Sequence, residues 1–452
     1  MVNYRSDDTI AAVATSPGKG AVAIVRLSGA LARSIGERIG GVTPEPRQAQ
    51  VCVFHDESGE PIDRGLLLYF PAPRSFTGED VIEIQCHGGT VITEMLLAST
   101  LRLGARAAEP GEFSLRAFLN DKLDLAQAEG IADLVDSGSA KAARAAYRSL
   151  DGRFSEHVHA LQKQLTALRV QLEAWLDFPD EELQLNDTND FEQDFDAAIE
   201  ALKTLLDLAR EGTVLSNGIT VVIAGPPNAG KSSLLNRLSG YDAAIVTNIP
   251  GTTRDTLREN LSLDGLPVTV IDTAGLRDSV DPVEVEGIRR TQRAADTADQ
   301  LIWVADIRSD LEAELKQAQA VAGDDVSVTI IQNKVDLTNG LAEYLKQDDC
   351  TIIRMSALTG TGIELLTDHL KKMAGYRSDT AGAFSARTRH IDAMKRAERH
   401  IRNARRQLVN TLALELSAEE LRSAQLALSE VTGEVSTDDL LRQIFSSFCI
   451  GK

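Results

Sequence analysis

The stretch Gly218-Ile219-Thr220-Val221-Val222-Ile223-Ala224-Gly225-Pro226-Pro227-Asn228-Ala229-Gly230-Lys231-Ser232 decides the fold. Its apolar first half reads as a buried strand. Its second half matches G-x-x-x-x-G-K-[ST], placed between that strand and a helix as the motif requires. The glycines let backbone N–H groups wrap phosphates, and the N-terminus of the following helix directs positive charge at them. Lys231 can reach the β and γ phosphates, and the Ser232 hydroxyl can ligate Mg2+. Outward from this loop, strand-like runs recur at 268–271, 300–305, 326–331 and 350–355, with helical segments between most of them. That alternation predicts a doubly wound, mostly parallel sheet.

Three further elements follow in the order found in GTPases. Asp272-Thr273-Ala274-Gly275, after the strand 268–271, resembles the second phosphate-sensing element, with Asp272 near the Mg2+. Asn333-Lys334-Val335-Asp336 resembles the guanine-specificity motif. The Asp336 carboxylate can accept two hydrogen bonds from guanine N1 and N2, a pair that adenine lacks, so such a site rejects ATP. Ser356-Ala357-Leu358 resembles the loop that meets guanine O6 through its backbone. Between the first two elements, 247–255 resembles switch I, a loop that γ-phosphate orders and hydrolysis releases, with Thr253 the Mg2+-sensing hydroxyl. On this reading Asn228, Ala229, Gly230, Lys231, Ser232, Ser233, Thr247, Thr253, Asp272, Thr273, Ala274, Gly275, Asn333, Lys334, Asp336, Ser356, Ala357 and Leu358 hold GTP, with Mg2+ on Ser232 and Thr253. Leu276 stands where small GTPases place a water-orienting Gln. Leucine cannot polarise water, so another polar group must. Asp278, Asp281, Glu284 and Glu286 lie just downstream.

The rest of the chain sets the context. At 452 residues about three domains are expected. The hydrophobic share of 43% and charged share of 25% are ordinary for a folded soluble protein. No apolar run is long enough to span a membrane, and no secretory signal is expected at the N-terminus. Cys52, Cys86, Cys350 and Cys449 show no CxxC or CxxH spacing, which argues against a zinc ribbon and a disulfide framework and for a reducing cytoplasm. The 47 Lys and Arg against 67 Asp and Glu give a net charge of −20, which argues against a general nucleic-acid-binding protein. The charge is uneven. Segment 177–200 holds ten acids and no Lys or Arg, and is expected to be a solvated loop or a charged helix face. Segment 387–406 holds eight Lys or Arg against two acids, a local basic surface.

Before about residue 119 the chain reads as mixed α/β, with strands near 22–25, 66–70 and 81–84 and a helix over 90–101. Beyond it Gly and Pro become rare. Leu161, Leu165, Leu168, Leu172 and Trp175 make one helical stripe. After about residue 375 helical texture returns to the end.

Four blocks outside the nucleotide loop carry a full-length resemblance: 15–26 (Thr15-Ser16-Pro17-Gly18-Lys19-Gly20), 76–89 (Phe76-Thr77-Gly78-Glu79-Asp80), 110–125 (Pro110-Gly111-Glu112-Phe113-Ser114), and the C-terminal Cys449-Ile450-Gly451-Lys452. The chain resembles the MnmE/TrmE family of tRNA wobble-uridine modification GTPases. The resemblance implies a multidomain α/β plus all-α protein. A folate-binding-like α+β N-terminal domain (1–119) mediates dimerisation. A helical domain (120–215 and 377–452) accepts an inserted Ras-like P-loop GTPase domain (216–376).

The resemblance also implies cofactors and partners. A 5-formyl- or methylene-tetrahydrofolate sits on Arg26, Glu83, Lys122 and Lys452. A K+ ion on Asn228, Thr247, Ile249 and Thr252 replaces an arginine finger across paired GTPase domains. Glu284 orients the water, acting with Lys231 in catalysis. Cys449 is either a thiol for chemistry near the folate or a small packing residue; its C-terminal context is a poor prenylation signal. A flavin (FAD)-dependent partner, MnmG/GidA, joins the homodimer in a heterotetramer. Together they add an aminomethyl or carboxymethylaminomethyl group at C5 of the wobble uridine of certain tRNAs. The basic segment 387–406 either touches tRNA or the partner, or is a solvated helix face. Two other readings are a ribosome-assembly GTPase without folate and a folate-binding regulator whose GTPase sets its oligomeric state.

Overall fold

The computed structural model describes residues 8–177, 185–240, 258–272, 298–322, 326–338, 340–347, 350–376 and 382–451. The chain divides into two compact units, Met1–Ala132 with Gln425–Lys452, and Asp133–Ala424. Among the described residues no helix is long and apolar enough to cross a membrane.

The first unit is built on strands β1 (Ile10–Val13), β2 (Gly20–Ser28), β3 (Gln50–His55), β4 (Pro61–Phe70), β5 (Val81–Gly88) and β6 (Arg106–Ala107), in the order β3-β4-β5-β2-β1-β6. All neighbours are antiparallel except β1 with β6. Strand periodicity sends alternate residues to opposite faces. Val25, Leu27, Ile82 and Ile84 therefore share one face, where they pack with Ile35 and Ile39 of helix Ala32–Gly40 and Leu96 of helix Thr90–Arg102. Arg26 and Glu83 face each other in the β2–β5 register and lie on the opposite face. The expected strands and helix are present, longer than the apolar runs alone suggested. The half-exposed β3 and the short β1 and β6 carried too few apolar residues to be read.

The end of the chain belongs to this unit. Ile444 and Phe445 of helix Asp438–Ser446, with Phe448, pack on Leu115, Leu125, Ala128 and Ala132. The Thr437 hydroxyl caps that helix by accepting from the Leu440 N–H. The Cys449 carbonyl then accepts from the Gly111 N–H at 3.4 Å.

The second unit contains β7 (Ile219–Ala224), β8 (Arg258–Leu263), β9 (Leu266–Asp272), β10 (Gln300–Asp306), β11 (Ser327–Asn333), β12 (Glu343–Lys346) and β13 (Thr351–Arg354), in the order β12-β13-β11-β10-β7-β9-β8. The five inner strands are parallel, and β8 and β12 pair antiparallel at the edges. Both faces are covered. Val221, Ile223, Ile302 and Val304 pack with Leu234, Leu238, Leu366 and Leu370 on one side. Val222, Leu301, Trp303 and Ile330 pack with Ala318 and Ala322 on the other. From β7 the chain order runs one way through β9 and the other way through β10 and β11. The strand order thus reverses beside the C-terminal end of β7, which is where an open α/β sheet leaves a crevice.

The helices of this unit include Ala140–Leu150, Arg153–Asp177, Leu185–Asn217 and Thr388–Thr411. Leu161, Leu165, Leu168 and Leu172 are all buried, as the stripe predicts, each contributing roughly 1.5–3 kcal/mol of transfer free energy. Trp175 packs against Phe191 in a tilted contact, 4.4 Å between ring centroids with the planes inclined by 57°. Much of the acidic run is part of helix Leu185–Asn217, with Phe195, Ala198 and Leu202 turned inward. The part from 185 to 200 is thus helical, and it is not left wholly to solvent: Arg405 reaches Glu192 at 3.1 Å and Asp196 at 3.0 Å. Segment 382–387 is fastened to two helices by the Arg148, Ser149 and Thr213 side chains, which donate to the carbonyls of Ala383, Ser385 and Ala386.

Candidate functional site

The loop at the switch point takes its shape from its glycines. Gly225 has φ of 137°, and a Cβ there would lie 2.1 Å from the Val304 carbonyl oxygen on β10. Gly230 has φ of 101°, and a Cβ there would lie 2.2 Å from the Asn333 amide nitrogen. Any larger residue would push the loop off the sheet. Helix Lys231–Ser239 begins immediately after, with Ser232 and Ser233 exposed on its first turn and Leu234, Leu235 and Leu238 anchoring it in the core. Its N-terminal N–H groups and dipole therefore face the crevice. Lys231 is largely buried and donates from Nζ to the carbonyls of Gly225 at 2.7 Å and Pro226 at 2.8 Å, so its ammonium lies along the loop.

Asn333, Lys334 and Asp336 have different surroundings. Asn333 sits at the C-terminal end of β11 and is buried. Its amide nitrogen donates to the Ala229 carbonyl at 2.8 Å, and its amide oxygen accepts from the Ala357 N–H at 2.9 Å. Lys334 adopts φ of 68° and donates to the Asn228 carbonyl at 2.7 Å. The Asn333 side chain holds the phosphate loop against the base-side loop, and Lys334 ties the phosphate loop to the end of β10 through Asp306. Asp336 lies on the 3-10 turn Val335–Thr338 and is exposed, with no hydrogen-bond partner among the described residues. Its carboxylate is the group of the motif left to accept from a base.

Two residues that the sequence reading passed over complete the frame. Arg237, in the last turn of the loop helix, donates to the carbonyls of Ala357 at 3.1 Å and of Leu358. Asp306, at the end of β10, pairs with Lys334 at 3.0 Å and with Arg308 at 2.8 Å. The hydrogen bond from Arg308, with further bonds from its backbone and Lys334, holds the Asp306 carboxyl well below the usual range. The position of Asp306 beyond a central parallel strand is a usable signal. Arg237 offers none, because its partners come from a distant loop. Ser356 is buried while Leu358 is exposed, so the base-side loop presents its far end to solvent.

Thr247, Ile249, Thr252, Thr253, Thr273, Ala274, Gly275 and Glu284 lie outside the described residues, as does Lys452. So do the side chain of Asp272 and the alternatives Asp278, Asp281 and Glu286.

A second constellation lies on the first unit. Arg26 donates from Nε at 3.0 Å and Nη2 at 2.8 Å to one oxygen of Glu83, and from Nη1 to the Gly451 carbonyl at 3.4 Å. The Phe76 and Phe113 rings lie 5.8 Å from its guanidinium carbon. The pair is mostly buried, and the second Glu83 oxygen has no partner among the described residues. Lys122 lies beside the 76–79 loop, its Cε 3.1 Å from where a Cβ on Gly78 would stand, and Asn120 donates to the Thr77 carbonyl at 2.7 Å. That loop is pinned from behind. Buried Arg116 bridges Glu79, Glu112 and Asp8 at 2.6–3.1 Å, and Ser28 donates to Glu79 at 2.6 Å. Burial alone would raise the Glu112 carboxyl, but hydrogen bonds from Arg106, Glu109 and Arg116 hold it below its ordinary value. Of the four thiols Cys449 alone is exposed; Cys86 is buried and pushed up to about 11 by desolvation. A packing role for the Cys449 side chain is therefore not what the structure shows.

A phosphate loop at the switch point of a parallel sheet, braced by Asn333 against a base-side loop with an exposed carboxylate, defines a P-loop nucleotide-binding protein of the GTPase class. Family comparison agrees. Residues 125–449 match the MnmE helical domain, and residues 9–122 match the N-terminus of the GTP-binding protein TrmE. The chain is 50% identical, over 100% of both chains, to the tRNA modification GTPase MnmE of Nitrosococcus oceani. It is 52% identical to that of Stutzerimonas stutzeri and 51% to that of Methylococcus capsulatus, over 98% of this chain and 99% of each relative. Among solved structures it is similar to the G domain of the T. maritima FeoB iron transporter: 25% identity, 34% of this chain, 98% of that one, TM-score 0.26. The chain belongs to the MnmE family of tRNA modification GTPases.

Proposed function

We propose that this chain hydrolyses GTP and couples that hydrolysis to modification of the wobble uridine of tRNA. The observation that carries the reading is the Asn333 brace, three residues from the exposed Asp336: it ties a glycine-shaped phosphate loop to the 356–358 loop. Asp336 accepts from the base edge, the helix Lys231–Ser239 faces the phosphates, and the Lys231 ammonium moves from the loop carbonyls onto phosphate oxygens. The residues present fit the metals. Ser232 is exposed on the first turn, where a hydroxyl ligand for Mg2+ belongs, and Asn228 is exposed beside the loop with φ of 60°, suited to K+ with Thr247, Ile249 and Thr252. Bound there, the cations supply positive charge against the charge that develops on the phosphates. Thr253 would join Ser232 at Mg2+, and Glu284 would orient water in place of the missing Gln.

The reading extends to the first unit. Segment 1–119 would take a tetrahydrofolate derivative and form the homodimer. Segments 120–215 and 377–452 would form a helical domain around an inserted GTPase domain, 216–376. Support for the folate site is the Arg26–Glu83 pair beside two aromatic rings, with a Glu83 oxygen that has no partner among the described residues and could take a pterin donor edge, and with Gly451 bonded to Arg26. Arg26 is already committed to Glu83, so it orients that carboxylate rather than meeting folate carboxylates alone. Cys449, exposed on the same C-terminal segment, is available for one-carbon chemistry. The partner is the FAD-dependent MnmG/GidA in a heterotetramer, in the cytoplasm. Mass spectrometry of tRNA nucleosides from cells with and without the gene tests this. Loss of the 5-substituted wobble uridine supports it; unchanged uridines would remove the tRNA function and leave the GTPase site.

A further inference from the structure

Helix Ala140–Leu150 carries Arg144, Tyr147 and Arg148 at three- and four-residue spacing, so the three share one face. Arg153, just beyond the helix, joins them. With Ala143 and Asp151 they line a groove of about 410 Å3. The groove has too little negative charge for its cations. Arg144 has no ion-pair or hydrogen-bond partner among the described residues. Arg148 gives its Nε to the Ala383 carbonyl, and its two terminal nitrogens have none among those residues. Arg153 meets Asp151 at 3.4 Å, the single carboxylate of the lining. Like charges four apart destabilise a helix, and burial together with the Arg153 and Arg144 charges lowers the Arg148 pKa from its ordinary value. In a chain of net charge −20 this concentration of unmatched guanidinium has a cost that packing does not explain. Tyr147 is 57% exposed in the middle of it.

Guanidinium forks bind phosphate oxygens bidentately, and an exposed ring among them offers a stacking face to a base. Three guanidinium groups against a single carboxylate match the charge of a phosphodiester strand. We infer that this groove docks an RNA strand, its phosphates on Arg144, Arg148 and Arg153 and a base on Tyr147. The inference rests on the tRNA reading above and assigns it a surface.

The test uses the full-length chain and fluorescein-labelled unmodified tRNA, with anisotropy followed between about 50 and 200 mM KCl. Arg144→Glu/Arg153→Glu should weaken binding more than about tenfold at the lower salt and flatten the salt slope by about 2, one unit for each phosphate no longer neutralised. Tyr147→Ala should weaken it about fivefold or more, and Tyr147→Phe should restore it, since the ring alone stacks. Basal GTP turnover, measured on the same samples, should be unchanged and certifies the fold. Wild-type affinity and slope in the double charge reversal overturn the groove while leaving the tRNA reading intact. Absence of tRNA binding by the wild-type chain would overturn both.

Discussion

Replacing Asn333 by alanine should disable nucleotide binding by loosening the two loops that frame the crevice. The side chain is 3% exposed and makes two hydrogen bonds, to the Ala229 carbonyl and from the Ala357 N–H, whose residues are also buried. Alanine leaves both backbone groups without partners in a dry place. Each stranded group costs about 1–3 kcal/mol, so about 2–6 kcal/mol is lost from the conformation in which the phosphate loop and the base-side loop meet. Nucleotide can bind only by restoring that conformation. Even the low end, about 2 kcal/mol, converts to roughly 30-fold in affinity. Asn333→Asp separates the two bonds. Its carboxylate still accepts from Ala357 but faces the Ala229 carbonyl with no proton to give, so it should be no better than alanine. The assay is titration of a fluorescent GTP analogue into the full chain, with far-UV circular dichroism to confirm folding. Wild-type affinity in Asn333→Ala would refute the bracing role, and so would an Asn333→Asp that binds like wild type.

Other consequences follow from the same frame. Arg237→Ala should release the Ala357 and Leu358 carbonyls and weaken GTP several-fold, and Arg237→Lys, lacking the fork, should recover only part; equal affinity in all three would show the contact is idle. Asp306 has a folded pKa below its unfolded value, so its stabilisation is complete above about pH 5 and is lost as pH falls through the ordinary aspartate value and below. Asp306→Asn should therefore lower the melting temperature at pH 7 and narrow its gap to wild type toward pH 3; a gap independent of pH would contradict the pairing. GTP hydrolysis should run faster in K+ than in Na+ at equal ionic strength, and equal rates in the two salts would sink the Asn228 assignment. Arg26→Ala strands the mostly buried Glu83 carboxylate and should abolish folate binding while GTP turnover persists; retained folate affinity in a calorimetric titration would remove Arg26 and Glu83 from that site.

What the sequence determined by itself was local. A run from Ile219 to Ser232 contains both the strand and the loop that closes on it, because the required torsions belong to Gly225 and Gly230 themselves. The helical stripe from Leu161 to Leu172 is likewise readable, since one periodicity governs all its members. Tertiary structure alone decided what Asn333, Arg237 and Arg26 do, and that Asp336 beside Asn333 stays exposed. Asn333 meets Ala229 across 104 residues, Arg237 meets Ala357 across 120, and Arg26 meets Gly451 across 425. No spacing rule reaches that far. Which polar side chain becomes a brace and which stays open to a ligand depends on what the folded core brings alongside it. A buried amide must satisfy both its donor and its acceptor, and only the packed loops say with whom.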